Sequence, residues 1–232
     1  MATQRSHRGK TRRAKTPLRV PHYGQTTDFT CGPSSLIMAM KALRPAAKVD
    51  RGLELQLWRE ANTIFMGPSG GHGGCSALGL ALAAHRRGFR AEVRVNHRGV
   101  LLGDRAESKE RAEVMRLLHE RDLRDARAAR IPVRYGGFDI DDLEEALRAG
   151  ALPIVLNSMD FLHKDPTAHW FVVTGVDDAN IYVNDPWVAR DKSRTPADMT
   201  DVPIPRTAFD GVTSYGRKRE RAAVLIRRGS RA

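Results

Sequence analysis

The stretch TAHWFVVTGVDDANIYVNDPW, residues 167–187, decides the fold. Two runs rich in β-branched and aromatic residues flank DDAN, a cluster of turn formers, and Asp185-Pro186 ends the second run. That is the pattern of two antiparallel strands joined by a short turn. Upstream, LPIVLNS (152–158) reads as another strand, as does AAVLIRR (222–228) downstream, and FRAEVRV (89–95) alternates like a half-buried one. Toward the N-terminus a helical pattern takes over. From Pro33, residues Leu36, Ile37, Met40 and Leu43 fall at helical spacing, with Pro45 just beyond. VDRGLELQLWREAN (49–62) predicts a second helix capped by Asp50, and CSALGLALAAHRRG (75–88) a third closed by Gly88.

A charged stretch, residues 107–130, places Val114, Leu117 and Leu118 on one face of an exposed helix. FDIDDLEEALRAG (138–150) is a short helix with Asp139 as cap; Asp139, Asp141 and Asp142 are read as acids favoured by a helix N-terminus, not as metal ligands. Helices come early and strands late. The order predicts an α+β fold in which an N-terminal helical layer packs on a mostly antiparallel β-sheet.

The 232 residues, 41% hydrophobic, are enough for one large core. Residues 1–19 are expected to be a basic disordered tail, 20–228 the folded domain and 229–232 a second tail. The net charge of +12 sits at the ends: residues 1–19 hold seven Lys/Arg and no acid, and 216–232 hold seven against one Glu. The body is near neutral, so the basic ends predict at most contact with an acidic partner, and no specific nucleic acid. Two cysteines, 31 and 75, make neither a disulfide framework nor a paired zinc-ligand spacing, which fits a reducing, cytoplasmic setting. No apolar run approaches the length of a bilayer span, so a soluble chain without a membrane partner is expected.

The chemistry gathers around GQTTDFTCGPSSLIMAMKAL, residues 24–43. A cysteine attacks as the thiolate, and partial positive charge at a helix N-terminus favours the anion. Proline is favoured at the first helical position, so Gly32-Pro33 puts Cys31 at a helix start, with the small glycine leaving room for substrate backbone. A nucleophile also needs a base and an orienting group. His169 opens the first strand of the 167–187 pair and Asp185 closes the second, so the turn brings both to one edge. Asn184 is the alternative orienter on the opposite strand face; Asp185 is preferred because it shares a face with Ile181 and Val183. Gln25, six residues before Cys31, offers an amide to a developing oxyanion.

Other candidates are weaker. Cys75 reads as helix packing or as part of a substrate-facing loop. His72, in the Gly-rich loop 67–74, could bind a metal with Cys75 and His22, but no metal or other cofactor is expected from so scattered a set; His22 also reads as a residue of the cleft lip. His85, His97, His119 and His163 have no evident partner, and Trp170 and Trp187 are placed to wall a cleft or fill the core.

The segment from Gln25 through Cys31-Gly32-Pro33 into an apolar helix, together with HWFVVTGV and NDPW, resembles the papain-like cysteine peptidases of the bacteriocin-processing, double-glycine leader peptidase family. It is most similar to a stand-alone bacterial branch of it. The resemblance implies a papain-like fold over residues 20–190 and a peptide or protein substrate cut through a thioester. Its residue roles would be Cys31 as nucleophile, His169 as base, Asp185 as orienter and Gln25 as oxyanion donor. Asp28 stands three residues before the cysteine, where the family has an acid immediately adjacent, and no ATP-binding segment accompanies the domain, so export of a leader is not implied. The same chemistry with an amine acceptor would make a transpeptidase or transglutaminase-like acyltransferase. A non-catalytic peptide-binding module is a third reading.

Overall fold

The structure is a computed structural model that describes residues 14–15 (backbone only), 19–64, 73–188 and 194–229. In chain order the elements that build it are β1 (Ala14–Lys15), α1 (Cys31–Leu43), α2 (Arg51–Ala61), β2 (Asn62–Ile64), β3 (Gly74–Cys75), α3 (Ala77–Arg86), β4 (Phe89–Val95) and α4 (Lys109–Ala128). They continue as β5 (Val133–Tyr135), α5 (Ile140–Arg148), β6 (Leu152–Ser158), α6 (Asp160–His163), β7 (Ala168–Val176), β8 (Asn180–Asn184), β9 (Val202–Pro205), α7 (Phe209–Val212) and β10 (Ala222–Arg228). The main sheet runs β5-β4-β10-β6-β7-β8-β9, with β1 added beside β7. Its pairings are antiparallel except β4 with β5. The expected α+β architecture is therefore present, with strands at 89–95, 152–158 and 222–228 as read from the sequence. Within the N-terminal segment read as a tail, Ala14–Lys15 pairs with Val176 and Gly175.

Helix α1 is apolar around its circumference, which is the signature of a helix surrounded by protein. Every residue from Gly32 to Leu43 except Lys41 is buried. Leu36, Ile37 and Met38 are fully enclosed, and each such side chain contributes roughly 1.5–3 kcal/mol by leaving water. α1 lies against β7, β6 and β10, and Ser35 Oγ donates to Trp170 O at 3.1 Å, fixing the helix along the strand that carries His169. α2 and α3 cross closely, because a Cβ on Gly79 would meet Ala61 Cα at 2.7 Å. Local capping chemistry sets the helix starts: Asp50 accepts Leu53 N–H, Ser76 accepts Gly79 N–H, and Asp139 with Asp142 forms a reciprocal capping box.

α4 is largely exposed, as expected: Val114 and Leu117 are exposed and Leu118 is half-buried, while the inward stripe, which the sequence reading did not find, is Met115, His119, Asp122 and Ala126. Burial pushes the Asp122 carboxyl up to about 6 and lowers His119. Two polar residues on the inward face hid it from a count of apolar ones.

Candidate active site

Cys31 is the first residue of α1 and is half-buried. A helix start of this kind usually has a side-chain cap, and Thr30 is in the N-cap position. It makes no cap hydrogen bond; its Oγ1 instead donates to Glu54 Oε1 in a short contact. The Cys31 N–H has no acceptor among the described residues and is one of the helix's orphan donors, beside the sulfur. Gly32 is also closely packed: a Cβ there would lie 3.1 Å from Cys75 Cβ and 3.3 Å from Leu80, so those side chains would have to give way.

The β7–β8 turn brings His169 and Asp185 together as the sequence pattern implies. Asp177 ties the turn by accepting Ala179 and Asn180 N–H, and the register runs Val176 opposite Ile181 to Val172 opposite Asn184. Asp185 follows directly and is fully buried. His169 Nε2 donates to Asp185 Oδ1 at 2.7 Å, which leaves Nδ1 available to Cys31, close enough to act on the ring. Asn184 faces elsewhere, donating to Val20 O and accepting Asp201 N–H. Between the two candidates for orienter, the geometry therefore puts Asp185 at the imidazole.

His163 corrects the sequence reading, which gave it no partner. It is 5% exposed, and its Nε2 lies 2.9 Å from Asp185 Oδ2. Arg194 Nη1, which can only donate, sits 3.2 Å from His163 Nδ1, so the ring proton is on Nε2 and points at the carboxylate. Trp187 N–H adds a third donor at 2.7 Å, on Oδ1. Burial alone would raise the Asp185 carboxyl, but the charge of His169 and the two imidazole hydrogen bonds outweigh it and hold the group well below the ordinary range. For His169 burial alone would lower the imidazole; the negative charges of Asp185 and Cys31 win and raise it to about 10. The arrangement favours a protonated His169 beside the Asp185 carboxylate.

Gln25 stands where its backbone N–H donates to Pro186 O at 2.9 Å, which fastens its loop to the residue after Asp185. Its side-chain Nε2 donates one proton to Thr27 O at 2.8 Å and keeps a second. Glu54, unremarked in the sequence, organises this segment from α2. Its buried carboxylate accepts Thr26 N–H at 2.8 Å, Tyr23 Oη–H at 3.1 Å, Ser34 Oγ–H at 3.3 Å and the Thr30 hydroxyl. Nothing local in the sequence marks Glu54, because all four partners come from the segment before α1 or from α1 itself.

Cys31 and His169 open on a small cleft of about 30 Å³ whose walls include Phe29, Ile64, Leu102, Leu156 and Met159. Cys75 lines the same cleft but is 3% exposed, and burial pushes its thiol well above the ordinary value, with the charge of Cys31 adding to the rise. Trp170 is buried along the cleft with its indole N–H on Cys75 O at 3.3 Å; Trp187 acts through its backbone. His22 is committed to Asp185 O at 2.7 Å, and His72 lies outside the described residues. Among the described residues no three His, Cys, Asp or Glu are grouped to hold a metal ion, and no helix is long and apolar enough to cross a membrane.

Against known proteins, no curated protein matches the chain by sequence. Among solved structures it is similar to a C39-like peptidase candidate from Bacillus anthracis, at TM-score 0.51 and 17% identity over 91% of this chain and 96% of that one, a likeness of fold. The family model described as "Peptidase_C39 like family" matches residues 20–227, nearly the whole of the described fold. The chain belongs to the Peptidase_C39-like family.

Proposed function

We propose that the protein is a cysteine peptidase, a stand-alone relative of the bacteriocin-processing enzymes, that hydrolyses an amide bond of a peptide through Cys31, His169, Asp185 and Gln25. The observation that carries the reading is His169, hydrogen-bonded to the buried Asp185 through Nε2 and sharing a cleft with Cys31, whose side chain acts on the ring from close by. In the reaction, with the Cys31 proton already held on His169 Nδ1, the thiolate attacks the scissile carbonyl carbon. A C–S bond forms while the carbonyl π pair moves onto oxygen. That oxyanion is met by the Cys31 N–H and the second Gln25 amide proton. Collapse expels the amine, which leaves with the proton from His169, and a thioester remains. Water, deprotonated by His169, attacks the thioester and returns the thiol. Asp185 keeps the imidazole in the tautomer that each transfer needs. An amine in place of water would give transpeptidation at the same residues.

The reading extends to setting: a cytoplasmic enzyme without a cofactor, whose basic ends meet an acidic partner. It is tested by iodoacetamide labelling followed by mass spectrometry, and by cleavage of an internally quenched peptide library. Cys31 is expected to be alkylated while Cys75 is spared until denaturation. Cleavage is expected to disappear in folded Cys31→Ala and His169→Ala. Unchanged cleavage in either variant would overturn the assignment; Cys31-dependent joining of an added amine without hydrolysis would favour the transferase.

A further inference from the structure

Arg105 lines the same cleft as Cys31 and His169, and it is half-buried. Most of the protein's partly buried arginines have acids: Arg87 holds Glu60, Arg94 holds Glu92 and Asp142, and Arg221 holds Asp210. Arg105 has no carboxylate partner among the described residues. Its guanidinium instead lies 5.1 Å from the centre of the Tyr215 ring and donates one Nη2 hydrogen to the phenol oxygen. A guanidinium carries five N–H donors, so most of its donors are left for something else.

The turn that presents Arg105 is built and fastened. Leu102, which ends the turn's approach, has φ of 56°, a backbone state that a branched side chain resists. It is held there because its N–H donates to Glu220 Oε2 at 2.8 Å, and Glu220 is itself buried. Glu220 in turn pairs through two backbone hydrogen bonds, each 2.9 Å, with Tyr215, the residue that steadies the guanidinium. One short segment thus fixes both the backbone and the charge of the turn. The neighbouring cleft wall is largely apolar, and Asp28, the carboxylate on it, is exposed and makes no ion pair with Arg105. In such surroundings a cation with spare donors is poorly served by water and is matched by a bidentate carboxylate.

We propose that Arg105 is a specificity residue that receives a carboxylate of the substrate peptide, either an Asp or Glu side chain close to the cleaved bond or a free C-terminal carboxylate. The identity of the ligand as a peptide rests on the peptidase reading above; the carboxylate preference rests on Arg105 alone.

The test uses internally quenched octapeptides carrying Asp or Asn at each position in turn, each made with a free and with an amidated C-terminus. kcat/KM is measured for the wild type, Arg105→Gln and Arg105→Lys, and Kd for the same peptides is measured on Cys31→Ala with and without Arg105→Gln. One carboxylate, internal or terminal, is expected to improve kcat/KM and Kd by about tenfold or more over its amide. Arg105→Gln is expected to bring that peptide down to the level of its amide, and Arg105→Lys to fall between, because an ammonium lacks the fork. An unchanged iodoacetamide rate at Cys31 shows that the site is still assembled. Should Arg105→Gln fail to fold, Tyr215→Phe, which frees the guanidinium, is expected to weaken the same preference. A carboxylate preference that survives Arg105→Gln, or none in the wild type by either measurement, overturns the proposal. Binding that discriminates without any Cys31-dependent cleavage sinks the peptidase reading and leaves this one standing.

Discussion

His163 and Asp185 meet in the interior with Nε2 2.9 Å from Oδ2, so the carboxylate that faces His169 is also gripped from its other oxygen. An acid with one partner can swing; an acid held on both oxygens presents a fixed edge to His169.

His163 is therefore a positioning residue. Replacing it with Leu removes a hydrogen bond to a charged group and is expected to lower stability by about 1–3 kcal/mol and kcat by roughly tenfold. KM should move little. His163→Gln, which keeps a donor, should recover part of the rate, a rescue that a purely volumetric role would not produce. Steady-state kinetics and urea unfolding of the two variants decide it.

Glu54 performs the equivalent service for the segment that carries Gln25. Burial and the negative charge of Glu54 raise the Tyr23 phenol well above its ordinary range, so Tyr23 stays a donor to that carboxylate. Glu54→Gln leaves one acceptor oxygen where two served four donors, and is expected to lower stability by about 1–3 kcal/mol. Cleavage should slow as the loop loosens. Tyr23→Phe, which removes a single donor, should cost less. Denaturant midpoints at matched m-values, with initial rates on one peptide, give the comparison.

The pair His169 and Asp185 also sets how stability varies with pH. The folded imidazole is raised from 6.5 to about 10, so its contribution is complete below 6.5 and is lost as pH climbs toward 10. The folded carboxyl is lowered from 3.8, so its contribution is present above that value and is lost as pH falls through the folded one. The wild type is expected to lose stability between pH 7 and 9.5 more steeply than His169→Gln, with Cys31 and Asp185 the charges facing that ring. Equal slopes in urea titrations across that window would refute the raised imidazole.

Much of this was legible where the physics is local. Asp50 and Asp139 cap helices through bonds that span three residues, strand 89–95 shows its period directly, and 222–228 stands out as a short apolar run rich in β-branched residues. The His169–Asp185 meeting was legible because a short turn joins their strands. β9 was not, since VPIP carries two prolines; it is tolerated because the strand lies at the sheet edge, where a missing N–H leaves no ladder unpaired. His163, Glu54 and the inward face of α4 escaped for one reason. Each is a polar residue whose burial is justified only by a partner far along the chain, and no periodicity records a partner.

The placement of β10 has a consequence for biosynthesis. Residues 222–228 lie between β4 and β6, so strands made earlier stay in two unjoined groups until that stretch leaves the ribosome. Folding of the sheet as one unit therefore waits on residues 222–228, the strand that bridges β4 to β6, whatever order the remaining elements take.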